Sequence, residues 1–292
     1  MIDLTTATPL FEAVDSLGKK SPLGIALSSD AWATLPVEIR DRAFFSAHVE
    51  SERILAEAQR RILQRVKLER DRIEAGGRVM ERGRFIEEMQ DLLESLGYQP
   101  DPEKEGTLQD LSSAGRLGLI WQMQLDQAHG HAAWKAGMDQ PVLDAFPAQE
   151  LVRDFDKIER RDWPRIWAEN DGVFYGEPGP DYPGAPGRMI ALKTDPIWTQ
   201  ISRFGTPWPP FDWGSGMGLR DIRRGEAERL GLLDPEDPMI PQTTPFTAGL
   251  QASAAGLPPA ALDRLQERFG ARLVIDAAAG VLRWLGLEGG AA

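Results

Sequence analysis

The carboxylates Asp154, Asp156, Glu159 and Asp162 are the first residues whose type and spacing suggest chemistry. Such a set can supply an acid and base pair or oxygen ligands for a hard cation. The same four alternate with Arg153, Lys157, Arg160 and Arg161, and opposite charges at this spacing also describe the solvated face of a charged helix. Gly214-Ser215-Gly216-Met217-Gly218 is glycine-rich enough to approach a phosphate, but it has no lysine and no strand-to-helix context. The pattern fits a tight turn that needs permissive backbone angles. His129 and His131 stand two apart, which on a helix turns them to different faces and separates them as metal ligands. His48 is the one other histidine in the sequence, so a Ser-His-Asp arrangement has few candidate bases. No cofactor, metal site or catalytic residue is expected from these patterns, and the sequence reads as a protein that is not an enzyme.

Composition narrows the classes further. Apolar residues make up 42% and charged residues 27%, as in ordinary globular proteins. With 33 Lys and Arg against 45 Asp and Glu the formal charge is −12, which repels polyphosphate at long range. The absence of cysteine excludes disulfides and thiolate metal sites. No run of about 18 apolar residues occurs, so no membrane partner is expected, and the first twenty residues lack the layout of a secretion signal.

The elements that must position any site fall into three regions: an N-terminal arm over 1–35, a helical domain over 36–145 and a module over 146–292. The arm carries Pro9, Gly18, Pro22 and Gly24 among short apolar stretches and predicts at most a short helix near Leu10 to Leu17. From Pro36 to Glu74 no further Gly or Pro occurs. Ile54, Ala58, Ile62 and Val66 recur every fourth residue there, which predicts one long amphipathic helix of about 50 Å. Arg53, Arg60, Arg61 and Arg65 form its candidate basic face, extended by Lys67, Arg70 and Arg72, in a stretch where basic residues outnumber acidic ones. A solvated face laced with i,i+4 pairs and a weak DNA contact are the two readings. Gly76-Gly77 predicts a turn, and 79–96 a second helix stopped by Gly97. A third helix is expected over 111–135, with Ser112 or Ser113 as its cap.

Beyond Phe146 the chain becomes dense in Pro, Gly and Trp, and five of the nine tryptophans lie between 163 and 213. Trp163, Trp167, Trp198, Trp208, Pro209, Pro210, Phe211 and Trp213 are the candidate module core or partner-binding surface. Proline fixes backbone angles and holds large rings at low entropic cost, which serves either purpose. Strand 188–192, helix 195–203, helix 220–230, helix 262–269 and a hairpin of 272–276 with 281–285 are predicted around them. The fold class is therefore an α-rich α+β protein, a long-helix N-terminal region followed by a small irregular Trp/Pro-rich α+β module.

The stretch SSAGRLGLIWQMQLDQAHGHAAWKAG, with Arg116, Leu119, Ile120, Gln124, Ala128 and Gly137, is followed by RDWPRIW and by a Pro209-Pro210 loop. Together with AFFSAHVESERIL, VLDAFPAQELVR and PPFDWGSGMGLRDI, this order resembles the Mu F-like, or minor-head, family of tailed-phage head-morphogenesis proteins over residues 36–270. Asp212, Trp213 and Ser215 to Gly218 stand where that family has His and Cys after its double proline, so aromatic packing must replace any stabilisation those residues give. The resemblance implies a phage or prophage minor capsid protein of the virion or procapsid, present in the host cytoplasm during assembly. Its implied partners are portal and capsid proteins and, weakly, packaged DNA, with no catalytic residues carried over. A DNA-binding assembly factor using the basic helix is one alternative. A toxin-type enzyme such as an ADP-ribosyltransferase is another, for which only the 58 residues 235–292 remain.

Overall fold

The computed structural model describes residues 10–74, 81–155, 160–242, 251–254, 257–276 and 279–285, with backbone alone for 10–12, 37–38, 67–74, 81, 251–253 and 284. The protein is a mixed α+β chain, richer in helix than in strand, whose strands form small sheets of two, four and three strands. Its residues divide into two compact units, 1–128 with 247–292, and 129–246. The boundary expected near 145 is thus displaced into the third helix, and the C-terminal part of the expected module belongs with the N-terminal region.

In the first unit α1 (Leu10–Lys19) leads into β1 (Ser21–Pro22), then α2 (Ser29–Ala33), α3 (Val37–Arg42) and β2 (Ala43–Phe44). The N-terminal stretch is not an arm over its described residues. Leu23, Ile25, Leu27, Trp32 and Leu35 are buried in one core with Phe45, Leu257, Leu265, Leu273 and Leu282. Trp32 stacks on Phe45 at 3.9 Å. Gly24 allows this closure, since a Cβ there would stand 2.1 Å from the Glu50 carbonyl oxygen.

The long helix expected from Pro36 is two helices. Between α3 and α4 (Glu52–Glu74), Phe44, Phe45, Ser46 and Ala47 turn inward, β2 pairs in parallel with β1, and His48 takes a φ of 59°. Burying four consecutive residues outweighs helix continuity, because a helix turns neighbouring side chains to different sides and would leave some of them in solvent. His48 accordingly lies, with its side chain exposed, in the loop between β2 and α4 and not on a helix. Ser51 restarts the helix by accepting the Ile54 amide at its Oγ. Gln59 is buried and donates from Nε2 to the Leu17 and Lys20 carbonyls, tying α1 to α4.

Helix α5 (Glu81–Ser95) buries Phe85, Met89 and Leu93, and Gly97, at φ 73°, ends the turn that follows it. The predicted Gly76-Gly77 turn lies outside the described residues. Ser113, one of the two expected caps, accepts the Arg116 amide at the start of α6 (Ala114–Gly137).

The second unit takes in the end of α6 and α7 (Gln140–Ala145), β3 (Ala148–Arg153), α8 (Trp163–Glu169), β4 (Phe174–Tyr175), β5 (Arg188–Leu192), α9 (Ile197–Gln200), β6 (Met217–Ile222) and α10 (Arg224–Arg229). The sheet runs β4-β5-β3-β6 and is antiparallel throughout. Strand β5 matches its expected bounds, whereas the helix predicted over 220–230 begins as strand and becomes α10 only at Arg224. Its register against β3, from Met217 opposite Arg153 to Ile222 opposite Ala148, overrides the local helical pattern.

The chain then returns to the first unit with β7 (Gln251–Ser253), α11 (Pro259–Phe269), β8 (Leu273–Asp276) and β9 (Val281–Trp284). The predicted hairpin of β8 and β9 is present, and β7 adds a third strand on the far side of β9. Among the described residues no helix is long and apolar enough to cross a membrane.

Candidate functional site

The four-stranded sheet presents two faces. Leu151 of β3, Met189 and Ala191 of β5, and Met217 of β6 point to one side, where they meet Trp163, Trp167, Trp198 and Phe211. Ala148, Ile190 and Ile222 point to the other and pack on Ala227 and Leu233. Each tryptophan is delivered by a short capped element. Asp162 caps α8 by accepting the Arg165 amide at 3.1 Å, so that Trp163 and Trp167 turn inward. Asp195 accepts the Ile197 amide at 2.8 Å and sets Trp198 on α9.

The rings are fixed by their edges as well as their faces. Trp167 donates its indole N–H to the Val173 carbonyl and Trp198 to the Leu192 carbonyl. Trp198 stacks on Phe211 at 6.1 Å and meets Trp167 edge-on at 5.4 Å, while Trp163 meets Phe211 edge-on at 6.5 Å. Such contacts each add about 0.5–1.5 kcal/mol beyond area burial.

The Trp208-to-Trp213 run spans more than one ring cluster. Phe211 belongs to the sheet-face cluster, whereas Trp208 enters a second one with Trp134, Met138, Leu143 and Met239. Trp134 lies 5.2 Å from Trp208 and His131 meets Trp208 edge-on at 4.9 Å. The Pro209-Pro210 bond between the two anchors is cis. Pro210 is buried and Pro209 partly so; Trp213, half-buried, packs edge-on against Phe204 at 5.0 Å. Asp212 is paired with Arg161 at 3.1 Å and Arg203 at 3.7 Å, and Arg161 also donates to the Trp213 carbonyl. Of the eight residues singled out in the sequence, Trp163, Trp167, Trp198, Trp208, Pro210 and Phe211 are buried core, and Pro209 and Trp213 are partly open to solvent.

Glycines 214 and 216 both have positive φ, 55° and 67°, and Ser215 between them is buried, its amide donating to Asp212 and its Oγ accepting from Met217. The Gly-rich string is a tight turn with its central polar groups already used. The residues around Asp154 do not form the expected helix face where they are described: β3 ends at Arg153, and Asp162 caps α8. Asp156, Lys157 and Glu159 lie outside the described residues. Asp154 lies over Gly218, whose Cβ position is 1.8 Å from its Oδ2. Loss of hydration there, with the negative charge of Asp181, pushes the Asp154 carboxyl above the usual carboxylate range.

Sequence reasoning missed two buried ionic groups of this unit, Glu150 and Lys193. Glu150, in mid-strand, accepts from Arg188 at 2.6 Å and from Arg220 at 2.5 Å, and Arg188 also reaches Glu226 at 2.8 Å. Burial raises the Glu150 carboxyl, but the hydrogen bonds and charge of the two guanidiniums more than offset that and leave it below its usual value. The available signal was a Glu in the middle of a segment otherwise able to pair as strand. Lys193, whose side chain is 1% exposed, pairs with Asp221 at 2.9 Å over the Phe146 ring.

On the basic helix, Arg60 and Arg61 both pair with Glu57, Arg61 also pairs with Glu88 at 3.0 Å, and Arg65 pairs with Glu88. Arg53 is exposed. The structure thus brings Arg60, Arg61 and Arg65 onto carboxylates of α4 and α5; the side chains of Lys67, Arg70 and Arg72 lie outside the described residues. Among the described residues no three His, Asp or Glu side chains gather as a metal-binding group.

No protein-family model matches the chain, and no curated protein or solved structure matches it at a significant level.

Proposed function

We propose that this chain is a minor capsid, or head-morphogenesis, protein of the Mu F-like type, acting in procapsid assembly in association with the portal. The sequence resemblance over 36–270 supplies the class. The observation that carries it furthest is the double-proline run, which anchors Trp208 in one ring cluster and Phe211 in another. A loop held in this way by stacked rings is a rigid scaffold element without the His and Cys of the family pattern. The ionic groups nearby fit the same reading. Glu150, Lys193 and Asp212 are engaged in closed pairs that link strands and loops. The DNA-binding alternative is disfavoured by the pairing of Arg60, Arg61 and Arg65 with Glu57 and Glu88, since a guanidinium held by carboxylates releases few phosphate counterions.

The test is co-expression with a tailed-phage portal protein from the same genome. Co-elution of the two on a sizing column, at a fixed ratio across dilution, is the expected result. Complete separation, with each protein folded, overturns the assignment.

A further inference from the structure

The second unit contains a cleft of about 510 Å³ between α8 and the loop that follows β4. That size lies within the ~300–1,000 Å³ of small-ligand clefts. Its walls are largely apolar: Pro164 on α8, Pro186 on the loop, and the rings of Phe174 and Tyr182. Two carboxylates, Asp162 and Asp181, line it as well. Each accepts a backbone amide, Asp162 Oδ1 from Arg165 and Asp181 Oδ2 from Arg153, and a carboxylate has capacity for more than one donor.

Cations already near the cleft are held by other groups. Arg165, which also lines it, pairs with Glu169 along α8 at 3.7 Å. Arg153 is not part of the lining; its guanidinium lies over the Tyr182 ring and donates to the Tyr182 hydroxyl. Arg160 contributes a further positive charge near that hydroxyl.

We propose that this cleft receives an arginine side chain from a peptide segment of a partner protein. A guanidinium is planar and weakly hydrated, so it stacks against rings and proline edges while giving N–H groups to carboxylates in the same site. An ammonium is more strongly hydrated and does not stack, and a phosphate or carboxylate ligand meets Asp162 and Asp181 as like charges. The net charge of −12 favours approach of a basic segment over an acidic one. The proposal stands independently of the minor-capsid reading, because it rests on the cleft alone.

The experiment titrates the full chain, by NMR or calorimetry, with acetyl-Ala-Ala-Arg-Ala-Ala-amide and with the same peptide carrying citrulline, the neutral isostere, in place of arginine. Saturable binding of the arginine peptide is expected, weakened about tenfold or more for the citrulline peptide. The double variant Asp162→Asn/Asp181→Asn keeps an amide oxygen for each backbone N–H and is expected to lose the preference for arginine over citrulline. Ala168→Trp, at an exposed lining position, is expected to block the cleft and is the second variant should the double one unfold. Absence of saturable binding, equal binding of the two peptides, or unchanged preference in a folded variant overturns the proposal.

Discussion

Gly130 of α6 lies directly beneath the carbonyl of Pro209, so that a Cβ on Gly130 would stand 2.0 Å from that oxygen and 2.8 Å from the Trp208 ring. Glycine in a helix interior normally costs stability relative to alanine by about 1 kcal/mol. Here the sign reverses. Gly130→Ala is expected to destabilise the second unit by about 1–3 kcal/mol, the range for overpacking a close contact. Urea denaturation followed by tryptophan fluorescence measures it, and a gain in midpoint would refute the docking of the double-proline loop on this helix.

Trp208 and Trp213 sit five residues apart in the same run but in different surroundings, 1% exposed for the first and half-buried for the second. Trp208→Ala is expected to lose about 3–5 kcal/mol, from lost burial and the void left among Trp134, Met138 and Leu143. Trp213→Ala is expected to lose less than half of that. Comparable losses in thermal unfolding would mean that the run is not anchored as described.

Glu150 links stability to pH. Its folded-state pKa lies below its unfolded value, so its contribution is complete above the ordinary glutamate range and is lost as pH falls through the lower folded value. Glu150→Gln leaves Arg188 and Arg220 without their shared carboxylate, with an expected cost of about 3 kcal/mol at neutral pH. The variant's deficit is expected to shrink on acidification, which parallel denaturation series across acid pH would detect.

Asp154 works in the opposite sense. Its folded-state pKa is raised, so the ionised form opposes folding at neutral pH, and that penalty disappears as pH falls below the ordinary aspartate range. Asp154→Asn is expected to stabilise at neutral pH by on the order of 0.5 kcal/mol, with no gain in acid. A loss at neutral pH would show that the carboxylate has a partner it needs.

Local signals in the sequence were enough for elements bounded by caps and stops. Gly97 and Gly270 end helical turns at positive φ, Ser113 caps α6, and β5 lies where its apolar run begins and ends. Aromatic density also located the tryptophan core. What failed depended on contacts distant in sequence. Phe45 looks like part of a helix until the core formed with Leu265 and Leu273 demands it. Residues 220–222 read as helix until β3 offers a strand edge. Glu150 is indistinguishable from a surface carboxylate without the two arginines that flank it in the sheet. Gly130 gave no signal at all, since a glycine in a helix does not announce which carbonyl lies above it.

The core that holds Leu23, Trp32 and Phe45 is completed by Leu265, Leu273 and Leu282, contributed after the whole second unit has been traversed. During synthesis, therefore, the earliest apolar surface stays uncovered on the ribosome while the intervening unit is free to mature first. Stopping translation ahead of Leu257 leaves that surface without its lid, a state suited to chaperone capture or aggregation. The order of assembly in this chain is thus inside-out with respect to its numbering.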